Sequence, residues 1–171
     1  MPKERWIKLL RPLLLAAMVV TGAWMTPGTA ADYVTAAGKL PNSAVRKMME
    51  DLRASIQHLQ LPDGSSIPPE TAEERKVPLV SVEDAKGFVD VGVASALAKV
   101  CGLDWQRTNF APMLESEHAS GDRAPKALAY IAALHGFGMG LMEDTFRKGG
   151  CSDEVRERTA MQIQARWQET E

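Results

Sequence analysis

Two side chains that could bind a metal, His135 and Met139, stand one helical turn apart in a glycine-rich part of the chain. Imidazole and thioether groups suit a soft or borderline metal such as copper, and Met142 could add a further thioether. A histidine on a packed helix is more often a hydrogen-bonded core residue, however, and methionine commonly fills gaps in cores. We therefore predict no metal or other cofactor, and keep a metal- or small-ligand-binding bundle that uses His135 and Met139 as the alternative.

Glu115 and His118 form a Glu-x-x-His pattern, which occurs in pairs in di-iron carboxylate bundles together with two further carboxylates. The chain has three histidines, and neither of the other two follows a glutamate by three residues. A serine or cysteine nucleophile would need a base and an orienting group, and no signature brings such groups together. The sequence thus predicts no catalytic residues, and an enzyme is the least favoured of the three functional classes, after an interaction protein and a ligand- or metal-binding bundle.

Small residues recur at steps of four at Ala132, Gly136 and Gly140, which places them on one face of a helix. Glycine inside a helix costs about 1 kcal/mol relative to alanine, so this pattern needs a compensating contact. We predict that the face serves either close helix packing or interaction with a partner. A phosphate-binding loop is excluded, because these glycines fall within a helix rather than between a strand and a helix.

The N-terminal residues have the pattern of a secretory signal peptide. A basic segment, residues 1–11, precedes a short apolar segment, residues 12–24, and small residues follow at Ala30 and Ala31. The apolar segment is shorter than the roughly 20 residues that span a bilayer as a helix. We predict cleavage after Ala30 or Ala31, a periplasmic or secreted protein, and no membrane insertion after cleavage.

The charge balance bears on the class of partner. Removal of residues 1–31 takes four basic residues and one acidic residue from totals of 20 and 22, which leaves 16 against 21 and a charge of −5. Nucleic-acid binding requires a basic face, so nucleic acids are excluded as partners. A protein partner or self-association is predicted instead.

The two cysteines of the predicted mature chain, Cys101 and Cys151, favour one disulfide, as is usual in exported proteins. A redox motif would place its two thiols close together, as in Cys-x-x-Cys, and a soft-metal site is the other alternative. A bridge over this distance would stabilise the fold by roughly 4 kcal/mol in the chain-entropy model.

Apolar spacing and capping residues predict an all-α fold, a small bundle of four to five helices. The first helix is capped by Asn42 and Ser43 and reaches about Leu61. The others are predicted to begin at Ser81, Asp104, Asp122 and Ser152, and to end near Cys101, Leu114, Arg147 and Trp167. Val155, Thr159, Ile163 and Trp167 are the predicted buried row of the last helix. Short turns make neighbouring helices antiparallel, which brings Cys101 and Cys151 to the same end of the bundle.

The predicted organisation has four parts. A signal peptide occupies residues 1–31, and an N-terminal leader and helix occupy residues 32–61. A Pro-rich connector at residues 62–80 separates this helix from the disulfide-linked helical bundle of residues 81–171, because its prolines prevent more than a turn of regular helix.

Between Cys101 and Trp167 the layout resembles the HdeA-type small periplasmic acid-stress chaperones. Those proteins are exported and helical, with one disulfide between two distant cysteines and a charged final helix that ends near a tryptophan. The resemblance implies a dimer that opens in acid and exposes apolar surface to unfolding clients. The sequence as a whole predicts a non-enzymatic, exported binding or interaction protein, and this resemblance makes a stress chaperone its sharper form.

Overall fold

The computed structural model describes residues 40–59, 61, 64–121 and 123–168. All regular elements in these ranges are helical, which confirms the predicted all-α class. The five α-helices are α1 (Asn42–Ala54), α2 (Val82–Val100), α3 (Ala111–Ala119), α4 (Pro125–Gly149) and α5 (Asp153–Gln168). The predicted signal peptide, residues 32–39 of the leader and the predicted cap Asp122 lie outside the described residues.

Helix α2 lies at the centre of the bundle, and its most extensive contact is with α4. It begins as predicted, because the Ser81 hydroxyl accepts a hydrogen bond of 3.0 Å from the Asp84 amide. From Val91 to Ala98 every residue is buried, so the helix is apolar on all sides in its later turns. It ends at Val100, and Gly102 follows with a φ of +68°, the left-handed conformation that glycine adopts without strain.

Helix α1 differs from the prediction at both ends. Its N-cap is Pro41, whose carbonyl accepts hydrogen bonds from the Ala44 and Val45 amides, and no side chain caps it. Asn42 and Ser43 therefore lie in the first turn. The helix stops at Ala54 rather than Leu61, and a 3-10 turn, Ile56–His58, buries Ile56. The tighter turn directs Ile56 towards the core.

The Pro-rich connector packs against the bundle. Ile67 and Val80 are buried in the same core cluster as residues of α1, α2 and α4. The Arg53 guanidinium makes two hydrogen bonds to the Glu70 carboxylate, 2.9 Å from Nε and 3.0 Å from Nη2. A 3-10 turn, Glu74–Lys76, then places Glu74 at 2.9 Å from the Lys126 ammonium of α4. Residues 64–80 thus contact both α1 and the bundle.

A π-helical segment, Gln106–Phe110, leads directly into α3. Asp104 caps it as predicted, since its carboxylate accepts a hydrogen bond of 3.2 Å from the Arg107 amide. Pro112 explains the wider turn: proline has no N–H, and in a regular α-helix its ring would collide with the carbonyl four residues earlier. The helix type thus changes just before Pro112.

The predicted disulfide is confirmed. It joins Cys101 at the end of α2 to Cys151 just before α5, with 5.3 Å between their Cα atoms. Helix α4 stops at Gly149, and α5 begins after Ser152, whose hydroxyl accepts a hydrogen bond of 3.3 Å from the Val155 amide. Thr159 and Ile163 are buried as predicted, while Val155 and Trp167 are half-buried.

Candidate functional site

The crossing of α2 and α4 is so close that backbone touches backbone. A methyl group on Gly92 would collide with the carbonyl oxygen of His135, and a methyl group on Gly138 would collide with that of Val89. Glycine is the residue that permits such an approach. The free energy that these glycines cost the helices is therefore offset by direct helix-to-helix contact.

The predicted small-residue stripe takes no part in this crossing. Gly136 and Gly140 are exposed, a methyl group on either would meet nothing, and Ala132 is half-buried. Close packing within the chain uses Gly138 instead, which lies about 200° around the helix from Gly136. The spacing of four residues predicted the wrong face of α4 for packing within the chain. Two faces of this helix carry glycine, and the spacing does not distinguish them.

The exposed face of α4 is apolar. Phe137 and Leu141 have 37% and 47% of their surface exposed, and each stands beside one of the open glycines. The chain has no charged residue in the 16 positions from 127 to 142. We call Gly136, Phe137, Gly140 and Leu141 the glycine strip.

The opposite face of α4 contributes His135 to a buried polar network that we define as Ser95, Asn109, His135 and Trp167. The His135 Nε2 atom lies 2.9 Å from the Ser95 hydroxyl oxygen. Asn109 donates from Nδ2 to that same oxygen at 2.8 Å and to the Val91 carbonyl at 3.0 Å. Its Oδ1 atom accepts a hydrogen bond of 3.1 Å from the Trp167 indole. Four segments of the chain are thus joined inside the bundle.

Aromatic rings enclose the His135 imidazole. Its centroid lies 5.7 Å from the Trp105 ring, which stacks on it, and 4.7 Å from the Phe110 ring. Burial lowers the pKa of His135 from 6.5 to about 4, because desolvation disfavours the charged imidazolium. At neutral pH the ring is uncharged and forms part of the core.

This setting bears on the metal interpretation. Met139 is buried in a second apolar cluster with residues such as Val93, Leu97 and Phe146. Within the part of the chain that the structure describes, no three His, Cys, Asp or Glu side chains are grouped so that they could hold a metal ion. A metal on His135 Nε2 would have to displace the Ser95 hydrogen bond.

The remaining polar candidates lie at the surface. Glu115 and His118 are both exposed on α3. Charged side chains pair near the end of α4, where Arg147 contacts Glu143 at 2.7 Å and Asp144 at 3.3 Å. Hydrogen bonds from Lys99 and Arg147 lower the pKa of Glu143.

Asn109 is the residue of the network that sequence reasoning missed. It is completely buried, yet asparagine in a short polar segment gives no sign of burial. Only the π-helical turn before Pro112 rotates it inward, and helical periodicity does not anticipate that change of pitch.

Comparison with protein-family models, curated proteins and solved structures finds no match for this chain. Among the helices of the described residues, none is both long and apolar enough to cross a membrane.

Proposed function

We propose that this protein is an exported, non-enzymatic helical protein that binds a protein partner through the glycine strip of α4. The observation that carries the proposal is the exposure of Phe137 and Leu141 beside two open glycines on an uncharged helix face. Single exposed apolar side chains are ordinary, but a contiguous apolar face is typical of an interaction surface.

The shape of the strip suits an apolar helix as the partner. Gly136 and Gly140 leave a shallow hollow in which another backbone can approach α4, as Gly92 and Gly138 already do on the other face. Phe137 and Leu141 lie one turn apart on the same side of the two glycines, and they would then pack along one side of the incoming helix. Burial of each side chain contributes at most about 1.5–3 kcal/mol, so the strip alone supports a weak or transient complex.

The test compares two matched variants, Gly136→Leu and Gly87→Leu. Both glycines are exposed inside a helix, and a methyl group on either meets nothing, so both variants should fold. Only Gly136→Leu fills the hollow of the strip. We expect it to lose the partner, or the higher molecular mass of a self-associated form, in native purification followed by light scattering.

Two results would contradict this proposal. Wild-type protein that purifies alone and as a monomer at all concentrations leaves the strip without a partner. Retention of the same partner by Gly136→Leu, at the level seen with Gly87→Leu, would place the interface elsewhere.

The sharper form of the proposal is a stress chaperone that opens in acid. Buried His135 supports it, because protonation would place a charge where the imidazole is desolvated, which destabilises the fold. Acidification from pH 7 to 4 should then increase the fluorescence of 1-anilinonaphthalene-8-sulfonate and enable the protein to suppress aggregation of an unfolding client. If the folded protein binds no dye at pH 4, the chaperone form of the proposal is excluded and only the interaction protein remains.

A metal- or small-ligand-binding site on His135 and Met139 has less support. His135 is 2% exposed, and its Nε2 atom already contacts the Ser95 hydroxyl. If the native protein carries bound metal, detected as extra mass, and His135→Ala loses it, this alternative is favoured over partner binding through the glycine strip.

A further inference from the structure

A groove of about 590 Å³ lies between the π-helical segment with the start of α3 and the last two turns of α5. Its apolar walls come from Leu103 and Pro112 on one side and from Ile163 and Trp167 on the other. This volume falls in the range of small-molecule sites, which are mostly apolar with a few polar groups that orient the ligand.

The Trp167 wall of the groove is held in place from inside the protein. The indole N–H donates to Asn109, which in turn is anchored to the Val91 carbonyl and the Ser95 hydroxyl. A ligand would therefore meet an aromatic surface that is already positioned, and it would not have to order that side chain on binding.

The groove carries a negative charge at one position. Asp104 is the one charged side chain among the described residues that line it, and 60% of that side chain is exposed. Asp104 forms an ion pair with Arg107, but the pair is long, 3.8 Å between Nε and Oδ2, and both side chains are exposed, so a bound ammonium group can compete for the carboxylate. Asp104 and the Trp167 ring line the same groove, and this combination favours a cation because both groups attract positive charge.

We propose that this groove binds a small amphipathic organic cation, with its apolar body between Ile163 and Trp167 and its ammonium group at Asp104. The glycine strip is on a different helix and is not needed for this binding. The two proposals can therefore fail independently.

Three probes of similar size separate charge from shape: phenethylammonium, neutral 2-phenylethanol and anionic phenylacetate. Titration calorimetry of the full chain should show the tightest binding for phenethylammonium, about three- to fivefold tighter than for 2-phenylethanol, and the weakest for phenylacetate. The Trp167 indole N–H resonance, assigned with Trp167→Phe, should shift on binding.

The variant Asp104→Asn tests the charge. Asparagine caps a helix about as well as aspartate, so the π-helical segment should remain capped. We expect this variant to bind phenethylammonium and 2-phenylethanol with equal affinity. Equal affinities already in the wild type, or no binding of any probe, would overturn the proposal.

The variant Ala160→Trp tests the location. Ala160 lines the groove and is exposed, so a large side chain there fills the groove without entering the core. We expect at least about tenfold weaker binding of phenethylammonium. Ala165→Trp, on an exposed part of α5 outside the groove, is the matched control and should bind as the wild type does. Unchanged binding in Ala160→Trp would place the cation elsewhere and overturn the proposal.

Discussion

His135 links the stability of the protein to pH at the scale of a single residue. Its pKa is lowered from 6.5 to about 4 by burial, so the unfolded chain binds a proton more tightly than the folded protein does. The free energy of unfolding should therefore fall as pH decreases from about 6.5, and this contribution should level off below about 4. We expect a total loss on the order of 3 kcal/mol, measured by urea unfolding at several pH values.

The control for this prediction is His135→Gln, which keeps a polar side chain beside Ser95 but cannot titrate in this range. Its unfolding free energy should change less between pH 6.5 and 4 than that of the wild type. Carboxylates such as Glu74, whose pKa is lowered to about 2 by the Thr71 backbone and Lys126, add their own loss mainly at lower pH. Parallel curves for the two proteins would show that His135 does not control the response.

At the scale of single residues, the sequence predicts the pairing of two residues better than a hydrogen-bonded network of several. Cys101 and Cys151 could be paired because residue type and helix order both favour a bridge, and the structure confirms it. A buried, hydrogen-bonded histidine was the common alternative to a ligand, and His135 has that form. The role of Asn109 in the network could not be predicted, since it depends on a π-helical turn that the residue types in this segment do not indicate.

At the scale of the helices, glycine-to-alanine substitutions on the two faces of α4 should change the unfolding free energy in opposite directions. Gly138→Ala places a methyl group against the Val89 carbonyl, which forces α2 and α4 apart. We expect a loss of about 1–3 kcal/mol in unfolding free energy. Gly136→Ala meets open space and should gain about 1 kcal/mol from helix propensity. Both values can be measured by urea unfolding.

A result that contradicts this prediction is easily recognised. If the two variants change stability in the same direction and by similar amounts, the crossing of α2 and α4 does not depend on Gly138. Gly92→Ala provides an independent check from the other helix, because its methyl group would meet the His135 carbonyl.

Helix positions were more predictable than helix ends. Ser81, Asp104 and Ser152 cap where capping chemistry predicted, because a side-chain oxygen next to free amides is a local interaction. The end of α1 was wrong by several residues, since Ile56 leaves the helix to reach a core built from distant parts of the chain. Tertiary contacts decide such an end, and a local pattern does not contain them.

At the scale of the whole molecule, the disulfide attaches α5 to the rest of the protein. Helix α5 is rich in charged residues and has few buried side chains, which makes its own packing weak. Reduction should lower the unfolding free energy by about 4 kcal/mol, as expected for a closed loop of about 50 residues. Urea unfolding with and without dithiothreitol measures this loss.

The double variant Cys101→Ala/Cys151→Ala is the control. It should unfold like the reduced wild type and should be insensitive to dithiothreitol, since the described residues include no free cysteine. An oxidised wild type that is no more stable than this variant would mean that packing alone holds α5.

The bond from the Tyr130 hydroxyl to the Met49 carbonyl, 2.6 Å long, connects positions 81 residues apart. A chain that emerges N-terminus first delivers α1 long before α4, so the core around Val45 and Met48 is complete only once α4 is present. Contacts so distant in sequence form late, because a large loop must close before they can. The packing of α1 on α4 is therefore completed late, although α1 is the first of the described helices to be synthesised.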